Sequence, residues 1–310
     1  MTHATDWGAI GSGTIVVDRL TKKLGTLTAV DDLSFTVEPG RITGFLGPNG
    51  AGKTTTLRML LGLVRQTSGT ATIGGKRYAE IPQPQRVVGA ALEATNFHPG
   101  RSGRNHLRGL ARASGVAEAR VDELLELVAL TDAANRRAGG YSLGMRQRLG
   151  LAAALLGDPE VLVLDEPANG LDPQGIRWLR DFLRTLAGEG RAVLVSSHVL
   201  AEVAQTADEV VVIAHGKSVA QAPLAELTAR SGGGMRVAGP DAGRLAEALR
   251  ADGAEVHTDG ERAIVVRGRS GEEIGRLIAQ GGIVISELAP VGSSLEEIFF
   301  ELTGAEGGPS

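Results

Sequence analysis

The stretch Gly47-Pro-Asn-Gly-Ala-Gly52-Lys53-Thr54 constrains this chain more than any other segment. Its spacing is G-x-x-x-x-G-K-[S/T]. It follows the short β-branched run Arg41–Leu46, which reads as a strand. It precedes Thr54–Val64, where Leu57, Leu60, Leu61 and Val64 fall on one helical face. Strand, glycine-rich turn and helix in that order make a phosphate cradle. The glycines let successive N–H groups turn toward an anion, and the helix start adds unpaired N–H groups and the positive end of its dipole. Lys53 is placed to reach the β- and γ-phosphates, and the Thr54 hydroxyl offers an oxygen to Mg²⁺. Gly47, Pro48, Asn49, Gly50, Ala51, Gly52, Lys53, Thr54 and Thr55 form the expected phosphate-contacting set.

The rest of the first two thirds supports that element. Val161–Leu164, Ala192–Ser196 and Glu209–Ile213 are continuous apolar runs, the pattern of parallel strands buried between helices. Thr14–Val17 and Ser34–Val37 read as further strands, Asn105–Leu110 and Val121–Leu130 as helices, and Ile81–Gly103 as an exposed loop region. Val161–Leu164 runs directly into Asp165-Glu166-Pro167, which puts two carboxylates where open α/β sheets bind ligands. Asp165 suits Mg²⁺, and Glu166 suits a water that attacks the γ-phosphate. Taken alone, the pair could equally be two solvated carboxylates capping a loop.

A second unit begins near Ser231. Met235–Val237, Asp241–Ala251, Glu255–Thr258, Ala263–Val266, Glu272–Ala279 and Ile283–Leu288 read as β-α-β-β-α-β, the order of a ferredoxin-like fold. A last helix is expected over Leu295–Leu302, a flexible tail over 304–310 and a loose leader over 1–13. Cysteine is absent, which excludes disulfides, iron–sulfur clusters and Cys-ligated zinc. The net charge of −4 gives no basic excess for nucleic acid. No apolar run reaches the roughly 18 residues of a membrane helix. The leader lacks the cationic and apolar halves of a secretory signal, so the sequence predicts a soluble chain.

With these motifs in hand the sequence resembles an ATP-binding cassette (ABC) ATPase over about Thr14–Leu227. Tyr141-Ser142-Leu143-Gly144-Met145-Arg146-Gln147 resembles the family's signature motif. Asn169-Gly170-Leu171-Asp172 resembles its dimer-contacting loop, His198 its γ-phosphate-sensing histidine, and Glu93 stands where the family usually has glutamine. Three departures are visible: Tyr-Ser-Leu-Gly in place of Leu-Ser-Gly-Gly, Glu93, and Leu24 where an aromatic usually stacks on adenine. The first two, with the closing Ser294–Gly304, resemble bacterial exporters of peptide antibiotics and related drugs, the bacitracin-resistance type among them.

That resemblance implies an α/β fold, a P-loop ABC ATPase domain with mixed sheet core and helical subdomain over 14–230 (the subdomain about 94–150), then a small α+β accessory or regulatory domain over 231–303. It implies ATP and Mg²⁺, with Lys53, Glu93, Glu166 and His198 catalytic, Thr54, Glu93 and Asp165 on the metal, and Leu24 beside the base. Ser142 and Gly144 would contact the γ-phosphate held by a second copy of the chain, packed head to tail. A separate membrane permease would hold the pair on the inner face of the cell membrane, for drug, antibiotic or peptide export and self-resistance. The alternative is a soluble ABC ATPase acting on nucleic acid or ribosomes. The acidic charge, the single cassette and the lack of long coiled coils argue against it.

Overall fold

The computed structural model describes residues 13–92, 97–230, 234–260 and 262–291. The described chain forms two compact units that part between Pro223 and Leu224.

The first unit opens with β1 (Ile15–Leu24), β2 (Leu27–Val37) and β3 (Ile42–Leu46), then α1 (Lys53–Leu60), β4 (Ser68–Ile73), α2 (Pro84–Val87) and β5 (Val88–Ala91). Three helices follow: α3 (Gly103–Ser114), α4 (Ala119–Leu127) and α5 (Leu143–Ala154). The rest alternates as β6 (Val161–Asp165), α6 (Pro173–Gly188), β7 (Ala192–Ser197), α7 (Leu200–Thr206), β8 (Glu209–Ala214) and β9 (Lys217–Pro223). β2-β1-β4 form a small antiparallel sheet. The main sheet runs β5-β6-β7-β3-β8-β9, parallel except for β9. All of β3 and residues 161–164 and 192–197 are buried, as their unbroken hydrophobicity predicts.

The core lies where α1 meets both sheets. Leu57 and Leu60 of α1 join Val17, Phe35, Phe45, Val163, Leu194 and Val211 in one cluster. With so few aromatics, the single Phe35–Phe45 contact, centroids 5.1 Å apart, carries the ring packing there. Helices α3, α4 and α5 pack on one another through Leu107, Ala111, Val121, Leu124, Leu125 and Leu149.

Two sequence expectations are corrected here. The helix after the phosphate loop stops at Leu60 rather than running to Val64, because Gly62 turns the backbone left-handed (φ +68°) and Leu63 faces solvent. The supposed loop over Ile81–Gly103 contains α2 and the edge strand β5, which pairs parallel to β6 from Val88↔Val161. Its residues are too few and too small to show a strand period. Position 89 itself has no room for a side chain: a Cβ there would sit 2.1 Å from the Ala154 carbonyl oxygen at the end of α5.

The second unit contains α8 (Leu224–Arg230), β10 (Gly234–Ala238), α9 (Ala242–Ala251), β11 (Glu255–Thr258), β12 (Ala263–Arg267), α10 (Gly271–Gly281) and β13 (Glu287–Val291). After α8 this is the β-α-β-β-α-β order, with sheet order β11-β12-β10-β13, all neighbours antiparallel. Val237, Leu245, Leu249, Ile264, Val266 and Ile274 make its core. The last strand begins at Glu287, not at Ile283. Asp241 Oδ2 accepts a hydrogen bond from Val284 N at 2.9 Å, and the chain crosses so near Gly239 that a Cβ there would meet Ile285 Cα at 2.6 Å. The helix expected over Leu295–Leu302 lies outside the described residues.

Gly89→Ala should force the edge strand off α5. We expect a loss of about 1–3 kcal/mol, the usual cost of overpacking, seen as a lower thermal midpoint. An unchanged midpoint would show that β5 does not need that close approach.

Candidate nucleotide and metal site

Parallel register brings the site together. In the order β6-β7-β3, Asp165 lies level with Ser196, and Leu46 with Ser197, so three strands end side by side at their carboxyl ends. That edge is where an open α/β sheet offers a ligand crevice.

The phosphate loop follows β3 directly. Gly52 has φ +105° and caps α1; a Cβ there would meet the Ala29 carbonyl oxygen at 2.6 Å. A Cβ on Gly47 would meet the Ile213 carbonyl oxygen at 2.6 Å. Both positions therefore need glycine for close backbone approach, as the sequence spacing implied. Ala51 N donates to Pro48 O at 3.1 Å, closing the turn, and Gly216 N donates to Ala51 O at 3.1 Å. Lys53 is only 6% exposed. Its ammonium donates to the carbonyls of Gly47 at 2.6 Å and Pro48 at 3.3 Å, and lies 3.4 Å from Glu166 Oε1. The cation is thus held inside the curl of the loop.

The acidic pair is bound from both sides. Asp165 Oδ2 accepts from Thr54 Oγ1 at 2.7 Å, and Asp165 Oδ1 accepts from Ser196 Oγ. Glu166 N donates to Ser196 O at 3.2 Å and Oγ at 3.0 Å. Glu166 itself sits in the left-handed region at φ +50°, an unfavourable conformation for a residue with a side chain and one that clusters at functional sites. From there its carboxylate meets Lys53 on one oxygen and His198 Nδ1 at 2.8 Å on the other. The structure therefore joins Lys53, Thr54, Asp165, Glu166 and His198 in one connected polar network. Thr54 and Asp165 supply two adjacent hard oxygen donors, which fits Mg²⁺, a cation that takes few protein ligands and keeps oxygens from water and phosphate.

Other expected residues stand apart from that network. Ser142 caps α5, its Oγ accepting from Met145 N at 3.3 Å, and Gly144 packs toward Leu171. Leu24 is 51% exposed, at the tip of the β1–β2 hairpin whose Ala29 and Val30 touch Gly52. Glu93 lies outside the described residues.

Two residues were missed by the sequence reading. Ser196 ties the Asp165 carboxylate and the Glu166 backbone N–H; its signal was a hydroxyl at the exit of an apolar strand beside β6. Glu202, in the first turn of α7, is the other. Burial pushes its carboxyl above the ordinary glutamate range, the charge of Glu166 adds to this, and His198 and a hydrogen bond to Ser197 partly offset it. The folded chain then binds that proton more tightly than the unfolded chain. Stability falls as pH rises through the window between the ordinary glutamate pKa and the raised one. Glu202→Gln should keep the hydrogen bond and remove the ionised form. Its thermal midpoint should exceed the wild type's at pH 8 and converge with it at pH 4; an equal gap at both would contradict the raised carboxyl.

Comparison with known proteins agrees with this geometry. The ABC transporter family model matches residues 30–169, and a domain of unknown function matches residues 233–296. The chain is 38% identical to the bacitracin transport ATP-binding protein BcrA of Bacillus licheniformis, over 92% of this chain and 95% of that protein. It is 36% identical to the Nod factor export ATP-binding protein I of Burkholderia lata, over 92% and 95%. It is 36% identical to the daunorubicin resistance ATP-binding protein DrrA3 of Streptomyces coeruleorubidus, over 94% and 96%. A solved ATP-binding subunit of an ABC transporter superposes with TM-score 0.63 at 25% identity, covering 86% of this chain and 99% of that one.

Proposed function

The chain belongs to the ABC transporter family of ATP-binding proteins, and from that premise we propose that it is the ATP-hydrolysing motor subunit of an exporter. The observation that carries the export reading is the span of the similarity. Relatives named for bacitracin transport, daunorubicin resistance and Nod factor export match over nine tenths of the chain, the second unit included. Among the described residues no helix is long and apolar enough to cross a membrane. The proposed partner is therefore a separate membrane permease, which would hold this chain on the inner face of the membrane. No basic excess favours nucleic acid.

On this reading the residues divide the work as follows. Lys53 and the loop N–H groups bind and neutralise the β- and γ-phosphates of ATP. Thr54 and Asp165 would hold Mg²⁺, which would supply charge neutralisation on the phosphates. Glu166 orients an attacking water and accepts its proton, leaving ADP and inorganic phosphate. His198 holds the Glu166 carboxylate in place through its 2.8 Å contact. Glu93 would serve the metal or the water, and Leu24 would give the base an apolar but unstacked contact. Ser142 and Gly144 lie outside the network, in keeping with a phosphate held by the second copy, and the C-terminal unit stabilises or regulates that pair.

Lys53→Ala should weaken ATP binding by at least about tenfold by calorimetry, the loss expected when a buried charge on a phosphate is removed. Unchanged affinity would sink the nucleotide site. Tagged wild-type chain, recovered gently from the membranes of its own cells, should bring down a stoichiometric multi-helix protein. Recovery only with ribosomes or nucleic acid would overturn the transport reading while leaving the ATPase.

A further inference from the structure

Beside the polar network, two loops of the first unit are fitted together by reciprocal packing. One is the Ser142–Gly144 turn at the start of α5. The other is the 166–172 loop, which runs from Glu166 to Asp172, the cap of α6. The second loop is internally tight: Asn169 N donates to Glu166 O at 3.1 Å, Leu171 N to Ala168 O at 3.0 Å, and Gly175 N to Asp172 Oδ1 at 2.7 Å. Gly170 within it has φ +74°, and a Cβ built there would lie 2.0 Å from Leu143 Cδ2 and 3.0 Å from Leu143 Cγ. The Leu143 branch thus fills the space that any side chain at 170 would need. The converse contact is also present, since a Cβ on Gly144 would lie 3.2 Å from Leu171 Cδ2. Each loop offers a glycine to the other's leucine.

The two helices that follow are joined a second time. The Arg148 guanidinium on α5 lies 4.3 Å from the ring centroid of Trp178 on α6, and Trp178 stacks on Phe182 with centroids 5.0 Å apart. This side-chain bridge adds to the contact between the two loops. Close-packed contacts of this kind transmit displacement rather than absorb it. Leu143 nevertheless remains 44% exposed, so burial gives a weak reason for a leucine at that position.

We propose that Leu143 is a positioning residue: seated on Gly170, it fastens the Ser142 turn to the 166–172 loop so that the two move as one piece. Resting on the function proposed above, this has a definite consequence. The Ser142 turn meets the nucleotide held by the second copy, whereas the 166–172 loop begins at this chain's own Glu166. A displacement felt at one nucleotide is then delivered mechanically to the carboxylate serving the other, which couples the two sites.

The test uses the full chain with Leu143→Ala, Leu143→Met, Gly170→Ala and the double variant that combines Leu143→Ala with Gly170→Ala. Hydrogen exchange without nucleotide reads the fastening directly. Leu143→Ala should raise exchange in the 166–172 loop about tenfold, leave the phosphate loop unchanged, and be reversed largely by Leu143→Met. Steady-state ATP hydrolysis reads the coupling. Leu143→Ala should leave ATP affinity within about twofold, lower kcat about fivefold and bring the Hill coefficient toward one. In the double variant the kcat losses should be clearly less than multiplicative, because the leucine that a methyl group at position 170 would strike is gone. Unchanged exchange, or losses that multiply, would overturn the proposal, the latter because Leu143 would then act independently of Gly170. A wild type that binds no ATP would instead overturn the function proposed above, and the exchange result would still decide the fastening.

Discussion

The carboxylate of Asp165 is the interaction on which the rest of the site depends. It stands at the last residue of β6 and accepts hydrogen bonds from Thr54, at the start of α1, and from Ser196, near the end of β7. One side chain therefore fixes the positions of a helix start and a neighbouring strand end. A buried or half-buried carboxylate is tolerable only when its oxygens are bonded, and here two hydroxyls from two different elements do that. Parallel register makes it possible, because Asp165 and Ser196 are opposite one another and every strand of the trio points the same way. Shifting β6 by one residue would turn the carboxylate to the other face of the sheet and leave both hydroxyls without it.

Glu166 shows the cost and the use of this arrangement. To leave β6 and bring its side chain beside both Lys53 and His198, the backbone takes a left-handed conformation that a residue with a Cβ avoids. Ser196 compensates by receiving Glu166 N on both its carbonyl and its hydroxyl oxygens. The same serine thus holds the Asp165 carboxylate and the Glu166 backbone. A cation and an imidazole share the Glu166 carboxylate, so no charge in the crevice lies far from an opposite or polar partner.

Much of this was legible in the sequence where the chemistry is local. The phosphate loop is read from glycine and lysine spacing because backbone curl and helix start are short-range properties. The buried strands are read from unbroken apolar runs, and Asp165 and Glu166 from their place after one. The ferredoxin-like order of the second unit was also readable, although its last strand starts four residues later than its hydrophobicity suggests. Other features were hidden because they are long-range. Ser196 matters only through a parallel register that no neighbouring residue encodes. β5 is a strand because Gly89 lets it touch Ala154, not because its own residues prefer extension. Glu202 acquires its raised carboxyl from burial and then from the charge of Glu166, both set by how α7 folds back.

The account stands or falls on Glu166 as the group that completes hydrolysis after two copies close on ATP. The most direct measurement is sedimentation of the Glu166→Gln chain with ATP and Mg²⁺, alongside its steady-state turnover. The account predicts retained ATP binding, turnover lost, and a species of twice the chain mass that persists while ATP is present. A variant that stays monomeric and turns over within a few-fold of wild type would contradict it.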